Sequence, residues 1–414
     1  MPILSQSLVD EIVQNCINSY RKLPKTGKPV DNEWTVLSCI VQYDIVGKSH
    51  EVVSLGTGSK CIGAKNMSSQ GNILNDSHAE VIARRGFLLY LYENVTNLIE
   101  NRQSIFLNDG FKYTLKENIE FVFYSSQMPC GDASIIPKSG DSSDIGDLIS
   151  KLGKREAQDD LCDVSTKKMK PDIHRTGAKC LLNNQQDPRD AGLNYHLVGQ
   201  VRTKPGRGDR TLSVSCSDKI SRWIHCGIQG SLLDMLLNMP VFIKHFIFGS
   251  GVPYSEEILN RALLKRESEI NIEDRLKEIP DFYRSSLIFQ HIRTDINERP
   301  AAGSIVCIKT KNRLLEVVVQ GKKLGVTKKR AKDLSSSVSI SKYSLYKKFM
   351  EVLQKNKELM AHICGTESIE TIPYNEMKRK AIQYQIQWNR TKEVFFKSWT
   401  LKPDIWNFCV DKVT

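Results

Sequence analysis

Three short segments, far apart in the chain, each carry a side chain that binds transition metals. They are Asp76–Glu80, which contains His78; Met128–Asp132, which contains Cys130; and Ser215–Lys219, which contains Cys216. One imidazole and two thiolates suffice to hold a Zn²⁺ ion whose fourth position is left for water. If these side chains share one ion, the chain must close on itself between residues 78 and 216. That requirement favours one large domain over several small ones.

The segment around His78 predicts a helix that presents a ligand together with a second reactive group. Apolar residues after Asp76 and Ser77 recur at helical spacing, which predicts a capped, buried helix with His78 and Glu80 in its first turn. In zinc-dependent nucleobase deaminases, the Glu two residues after the His does not bind metal but transfers protons. Zinc lowers the pKa of bound water from about 16 to about 7, which supplies a nucleophile at neutral pH. The segment therefore indicates hydrolytic deamination of cytosine or adenine.

The two candidate cysteines lie at predicted element ends. The apolar run from Ile119 to Tyr124 predicts a strand before Cys130, and the stretch from Ser217 through Ile228 predicts a helix that Cys216 opens. A helix N-terminus stabilises a thiolate, because the positive end of the helix dipole lowers the thiol pKa. The metal would then lie where three helix ends meet.

The spacing alone leaves the third ligand open. A His-x-carboxylate triplet arises about once by chance in a chain of this composition. The usual signature has a second Cys three residues after the first, and Ala133 holds that position here. The alternative is a capped helix with a surface His and ordinary buried thiols.

At these residues the chain resembles the adenosine deaminases acting on RNA, most closely their tRNA-specific branch. The motifs that carry the resemblance are SLGTGSKCIG, LNDSHAEVIARR, PCGDASIIP, RTGAKC, KPGRGDRT, SCSDKISRW and GIQGSLL. The resemblance implies that Cys216 is the third ligand and that the base is adenine. It also implies an α/β fold with a cytidine-deaminase-like mixed β-sheet core covered by helices. The implied substrate is the adenosine 3′ of the anticodon in alanine tRNA, and the implied product is inosine.

The net positive charge of the chain comes from its C-terminal third. From Ala301 onward there are 22 lysines and arginines against 10 acidic residues, which accounts for the whole net charge of +12. Several of these cations lie among aromatic residues, where an unpaired charge is costly. The resemblance implies that a helical C-terminal extension encloses inositol hexakisphosphate as the counter-anion. Its implied contacts are Asn75, Arg84, Arg85, Lys219, Arg222, Ser231, Lys342, Tyr374, Lys378, Tyr384, Trp399 and Lys402. The alternative is a set of lysines whose stems cover an ordinary core.

The resemblance also implies a hydrogen-bonded relay between the anion site and a zinc thiolate, which would consist of Asp76, Lys204, Asp218 and Lys219. The Gly-flanked turn at 203–210 carries cations at its tip, so Arg202, Arg207 and Arg210 are candidate substrate contacts, with a plain surface loop as the alternative. The resemblance implies that Arg207 enters the gap left by a flipped base. Thr57 and Lys60 in GTGSK are candidates for the edge of the pocket. Trp388 and Leu401 depart from the polar pocket residues of the editing enzymes.

The remaining expectations concern organisation and location. We predict a single deaminase domain over residues 1–414, with a disordered polar insertion at 138–172. The sequence shows no transmembrane-length apolar run and no signal-peptide pattern, and its 11 cysteines favour reduced thiols. We therefore expect an intracellular protein, nuclear or cytoplasmic, that acts on tRNA without a membrane or an obligate protein partner. Two competing hypotheses are an editor of double-stranded RNA and a catalytically inactive RNA-binding protein.

Overall fold

A mixed β-sheet forms the centre of the molecule. The computed structural model describes residues 4–138, 172–206, 209–266, 279–294, 297–327, 329–330, 333–400 and 405–410. Almost all of the insertion predicted at 138–172 lies outside these residues. The strands of the sheet are β1 (Leu37–Asp44), β2 (Ser49–Thr57), β3 (Ile119–Ser125), β4 (His245–Phe248), β5 (Asp281–Arg284), β6 (Gly303–Ile308), β7 (Leu314–Val319) and β8 (Lys322–Lys323).

The strand order is β5-β4-β3-β1-β2-β6-β7-β8. The β5-β4-β3 edge is parallel, and every pair from β3 to β8 is antiparallel. The predicted mixed sheet is confirmed.

Side chains of the central strands alternate between two hydrophobic cores, as the period of a strand requires. Cys39 and Val41 face helix α1 (Gln6–Arg21), whereas Ile40 between them faces helix α2 (Ala79–Ile99). Both faces of the sheet are thus covered, and α2 lies almost wholly in the larger core. Because α2 is buried, its first turn is held firmly against the end of β2.

The other helices pack around the α2 face and at the sheet edges. They are α3 (Cys216–Cys226), α4 (Gly230–Asp234), α5 (Glu256–Leu259), α6 (Lys342–Lys355), α7 (Lys357–Cys364), α8 (Tyr374–Arg379) and α9 (Ile382–Thr391), with π-turns at Asn260–Lys265 and Lys392–Phe396. Two-stranded pairings join Glu33–Trp34 to Arg299–Pro300, Ser59–Cys61 to Asp76–His78, Phe106–Asp109 to Lys112–Leu115, Ile136–Pro137 to Ile173–His174, and Lys179–Cys180 to Arg202–Thr203. Among the described residues, no helix combines the length and the apolar character that a membrane span requires.

Candidate active site

Three helix N-termini bring the candidate metal ligands together. His78 caps α2, Cys130 precedes a 3₁₀ turn at Asp132–Ser134, and Cys216 is the first residue of α3. The Nδ1 atom of His78 lies 3.8 Å from the Sγ of Cys130 and 3.7 Å from the Sγ of Cys216. Nitrogen and sulfur ligands of a tetrahedral Zn²⁺ are about 3.6 Å apart, given bond lengths of about 2.1 and 2.3 Å. The arrangement therefore fits a zinc ion.

Close backbone contacts join the two cysteine segments. The amide of Cys216 donates to the Sγ of Cys130 at 3.3 Å, and the amide of Ser217 donates to the carbonyl of Cys130 at 3.0 Å. Gly131 has φ 101°, and a Cβ atom there would clash with Ser215 Oγ. Glycine is required at this position both for its backbone conformation and for the space it leaves.

Buried groups next to the candidate ligands favour a thiolate at Cys130, whereas burial and the neighbouring Cys130 raise the pKa of Cys216. The ammonium of Lys204 is buried and lies 3.1 Å from the Sγ of Cys216. A hydrogen bond from the Cys216 thiol, together with Lys204 and His78, holds the pKa of Cys130 well below its usual value despite burial. Metal binding needs deprotonated thiols, so this environment prepares the site for a cation.

Asp76 neutralises the lysines beside the thiolates. Its carboxylate accepts from the Nζ of Lys204 at 2.8 and 3.1 Å and also pairs with Lys219. Burial raises the pKa of Asp76, but the two ammonium groups outweigh burial and hold the pKa well below its usual value. Asp76 also lies near His78 and Cys61 in a second potential ligand cluster. Its engagement by two lysines makes it a counter-ion rather than a ligand.

Glu80 is placed for proton transfer beside the ligands. It is the second residue of α2, and its side chain is buried. Burial raises the pKa of the Glu80 carboxyl, since a charged carboxylate loses solvation there. Within the described part of the chain, its Oε2 atom has no hydrogen-bond partner. A buried, unpaired carboxylate oxygen is costly to maintain and is suited to accept or donate a proton on a bound molecule.

Comparison with known proteins agrees with this geometry. A family model described as the adenosine-deaminase (editase) domain matches residues 54–403. The chain belongs to this family. It is 36% identical to the tRNA-specific adenosine deaminase 1 of Drosophila melanogaster, over 95% of each chain. It is 32% identical to the protein of that name from Mus musculus, over 95% of this chain and 98% of the relative. It is also 34% identical to the Drosophila double-stranded RNA-specific editase Adar, over 48% of this chain and 27% of that one.

These comparisons confirm the predicted family. The chain is an adenosine deaminase, and its reaction converts adenosine to inosine in RNA. The family is generally zinc-dependent, and the His/Cys cluster described above provides a metal site of the expected composition.

A strongly basic cavity lies next to the metal site of this deaminase. Its volume is about 270 Å³, and its walls come from residues between Ile73 and Trp406. Eleven of the twelve residues predicted for an inositol phosphate line it: Asn75, Arg84, Arg85, Lys219, Arg222, Ser231, Lys342, Tyr374, Lys378, Tyr384 and Trp399. Lys402 lies outside the described residues.

The charge of this cavity is unbalanced. Six lysines and arginines line it, and Asp76 is the one acidic residue among the described side chains that do so. Burial lowers the pKa of Arg84 to about 10 and also lowers that of Arg85. The Nε of Arg222 is buried without a hydrogen-bond partner in the described residues, although its guanidinium lies 3.7 Å from the Trp388 ring. Such a set of cations favours the binding of an anion.

Three of the four predicted relay residues connect the two sites. Lys219 lines the cavity and pairs with Asp76, which in turn binds Lys204, and Lys204 donates to the Cys216 thiol. Asp218 does not take part in this path. Its carboxylate instead accepts from Arg266 at 2.5 Å, from Ser215 Oγ at 2.6 Å and from the backbone amide of Arg202 at 3.0 Å.

Two of the predicted substrate contacts lie inside the fold with protein partners. The Arg202 side chain has no exposed surface, and its guanidinium forms two hydrogen bonds of 2.6 Å with the Asp187 carboxylate. Thr57 is also buried, and its hydroxyl accepts from the amide of Ile305 at 2.9 Å. Both residues stabilise the fold and present no group to a ligand. Sequence could not reveal this, because a buried arginine and a surface arginine look alike without their partners.

The other substrate candidates have different positions. Lys60 lies on the short strand that pairs with Asp76–His78, directly opposite Ser77. Arg210 is exposed. Arg207 lies outside the described residues, so its predicted role at the loop tip stays a prediction.

Sequence reasoning missed several residues that support the site. Asp187 holds Arg202, and Arg266 holds Asp218. Asp132 is fully buried and accepts from the amide of Gly199 at 2.8 Å. The acidic residue in the PCGD segment was a visible signal, since a carboxylate next to a metal ligand often positions neighbouring loops. Asp187 and Arg266 carried no spacing that linked them to their partners.

Proposed function

We propose that this chain is a zinc-dependent deaminase of tRNA that converts the adenosine 3′ of the anticodon in alanine tRNA to inosine. The carrying observation is the convergence of His78, Cys130 and Cys216 around one point, with the buried Glu80 carboxyl beside them, whose Oε2 atom has no hydrogen-bond partner among the described residues. The relatives matched over 95% of the chain are named for action on tRNA, which supports the choice of substrate. The anticodon position and the alanine tRNA follow from the motifs that resemble the tRNA-specific branch.

The side chains divide the chemistry between them. His78, Cys130 and Cys216 would hold Zn²⁺, which, when bound, supplies a water of lowered pKa next to the adenine C6. Glu80 would accept the proton released by that water, because its Oε2 atom has no hydrogen-bond partner among the described residues, and would pass it to ring N1. Glu80 would then accept a second proton, from the new hydroxyl on C6, and pass it to the departing amine, so the carboxylate serves as base and as acid twice in turn. Its raised pKa suits both duties near neutral pH.

The basic cavity supports a second part of the proposal. Inositol hexakisphosphate would neutralise the six lining cations, and its phosphates would bind groups such as Arg222 and Lys378. The anion would also act on the metal site through Lys219, Asp76 and Lys204, because these three form a continuous path to Cys216.

One alternative function has a specific observation in its favour. The match to a double-stranded RNA editase allows an activity on duplex RNA. That match covers 48% of this chain, whereas the tRNA-specific relatives match over 95%. A binding protein without turnover is disfavoured by Glu80, since a structural zinc site does not need a buried carboxylate whose Oε2 atom has no hydrogen-bond partner in the described part of the chain.

The test incubates the purified protein with unmodified alanine tRNA and, separately, with a perfect RNA duplex. Each adenosine in the two RNAs is then scored for conversion to inosine. We expect inosine at the site 3′ of the anticodon alone. Inosine in the duplex would establish the editor, and zinc-loaded protein that forms no inosine would refute the proposed activity.

A further inference from the structure

The RTGAKC motif lies against the segment Met128–Asp132, here called the metal loop because it contains Cys130. The catalytic chemistry described above does not use this motif. The hydroxyl of Thr176 accepts from the amide of Gly131 at 3.2 Å, immediately after the ligand Cys130. Farther along the motif, Lys179–Cys180 pairs with Arg202–Thr203, the strand that leads to Lys204. The motif thus bridges the two segments that surround the thiolates. Its first residue, Arg175, directly precedes Thr176, so the contact of Thr176 with Gly131 also fixes the backbone of Arg175 next to the metal loop.

Arg175 presents a flat cationic surface at this position. Its guanidinium lies 3.9 Å from the centre of the Tyr195 ring, and its side chain remains 47% exposed. Its contact with Asp172 is long, at 3.5 Å, and lies on the surface. One face of the guanidinium is thus covered by an aromatic ring while the group keeps access to solvent. A guanidinium in this arrangement can receive an unpaired base and attract phosphate at the same time.

Tyr195 is held in place by a buried network. It ends a 3₁₀ turn at Gly192–Tyr195, and its ring lies edge-on to His196 at 4.9 Å. The Nδ1 of His196 lies 3.0 Å from the carboxylate of Asp187, which is itself fixed by the two hydrogen bonds from Arg202. The aromatic support under Arg175 is therefore rigid, which limits the entropy lost when a ligand stacks on it.

We infer that Arg175 and Tyr195 form a stacking shelf for the unpaired nucleobase that flanks the target adenosine. The inference rests on the proposed function. It adds a protein contact that offsets the stacking energy lost when the adenosine flips out of its stack. Extrusion of an adenine leaves its neighbour without a stacking partner, and the shelf replaces that partner beside the metal loop. Loss of one stacked base weakens binding about tenfold, which corresponds to about 1.4 kcal/mol, a value in the lower part of the range for base–protein stacking.

The first test compares Arg175→Ala and Tyr195→Ala with Arg102→Ala. Arg102 is a matched control, because its side chain is 43% exposed and pairs with Glu100. It lies beyond the far end of α2, about 30 Å from His78 by helix length. We expect both shelf variants to raise KM and the Kd for the anticodon stem-loop about tenfold, with kcat and Tm near those of the wild type. Arg102→Ala should match the wild type in all four quantities.

The second test identifies the bound base. Stem-loops with an abasic nucleotide immediately 5′ or immediately 3′ of the adenosine are measured with wild-type protein and with Arg175→Ala. If the shelf stacks on one of these bases, removal of that base and removal of Arg175 will not be additive, and the abasic substrate will bind both proteins equally. Additive losses with both abasic substrates would overturn the inference, as would an unchanged Kd for Arg175→Ala.

These measurements separate the inference from the function on which it rests. Absence of inosine from wild-type protein refutes the proposed function, while the binding comparison still decides the role of Arg175. Wild-type deamination together with unaltered KM and Kd in the shelf variants refutes the shelf alone. A fall in Tm with a parallel loss of kcat would show that Arg175 only supports the fold, and would also overturn the inference.

Discussion

The metal centre and the basic cavity are neighbours built in opposite ways. The metal centre uses four side chains from three compact motifs, and close backbone contacts hold two of those motifs together. The cavity draws its walls from residues between Ile73 and Trp406, and its six cations have one lining carboxylate. The first region carries reactivity in a few residues. The second depends on closure of the whole chain, so damage to it should appear first as lost stability.

Glu80→Gln should give the largest difference between the two regions, because it should abolish activity at the metal centre without lowering the stability of the fold. General acid–base catalysis contributes about 100- to 10,000-fold, so inosine formation should fall by at least about 100-fold. Burial raises the pKa of Glu80, which means that the folded state disfavours the charged form at neutral pH. The neutral amide removes that cost, and Tm should stay the same or rise. Inosine assays, metal analysis and calorimetry check this, with Glu93→Gln on the same helix as the control. Retained activity would refute the role given to Glu80.

The double variant Arg222→Met/Lys378→Met should show the opposite pattern. If a polyanion fills the cavity, the variant loses copurified organic phosphate and about 3–4 kcal/mol of stability, the amount expected for a ligand at 100 to 1,000 times its Kd. Phosphorus analysis and denaturant unfolding provide the measurements. If the cavity holds no anion, the loss of two half-buried cations from a wall crowded with like charges will instead raise the free energy of unfolding. The sign of the change decides between these cases.

Asp76→Asn should affect both regions together, because Asp76 contacts Lys204 on one side and Lys219 on the other. Removal of one partner of a buried ion pair costs about 3 kcal/mol. We expect lower stability together with lower zinc and phosphate content. Asp132→Asn is the matched control, since Asp132 is buried beside Cys130 but does not line the cavity. An unchanged phosphate content in Asp76→Asn would show that the two regions are independent.

Ser215→Ala should give the smallest effect and should stay local. The Ser215 hydroxyl accepts from the amide of Asp218 at the start of α3, and loss of such a cap costs about 1 kcal/mol. Thermal unfolding should report this loss while zinc content and KM stay near the wild-type values. A large loss of zinc would mean that the cap, and not only the thiolates, fixes the position of Cys216.

The metal centre was largely predictable because its residues lie in short motifs with a known chemical division of roles. Local sequence offered His78, Glu80 and Cys130 as candidates, whereas Cys216 required a resemblance, since no spacing rule links it to Cys130. The apolar run from Ile119 to Tyr124 likewise predicted strand β3.

Long-range partners were not predictable in the same way. Arg202 was assigned to substrate because it sits next to a cationic loop, yet Asp187 makes it a structural residue. The resemblance placed Asp218 in the relay, but its carboxylate pairs with Arg266. In both cases the charge of the residue is visible in the sequence, whereas its ion-pair partner is set by the tertiary fold.

The wide sequence span of the cavity walls also sets an order of events during synthesis. The ribosome releases His78, Cys130 and Cys216 before it releases Tyr374, Trp399 and Trp406. A nascent chain therefore carries the candidate metal ligands before it can form the far wall of the cavity. A product of termination between residues 216 and 374 would keep the candidate ligands and lack that wall. Formation of the cavity thus comes after the last candidate ligand has been made.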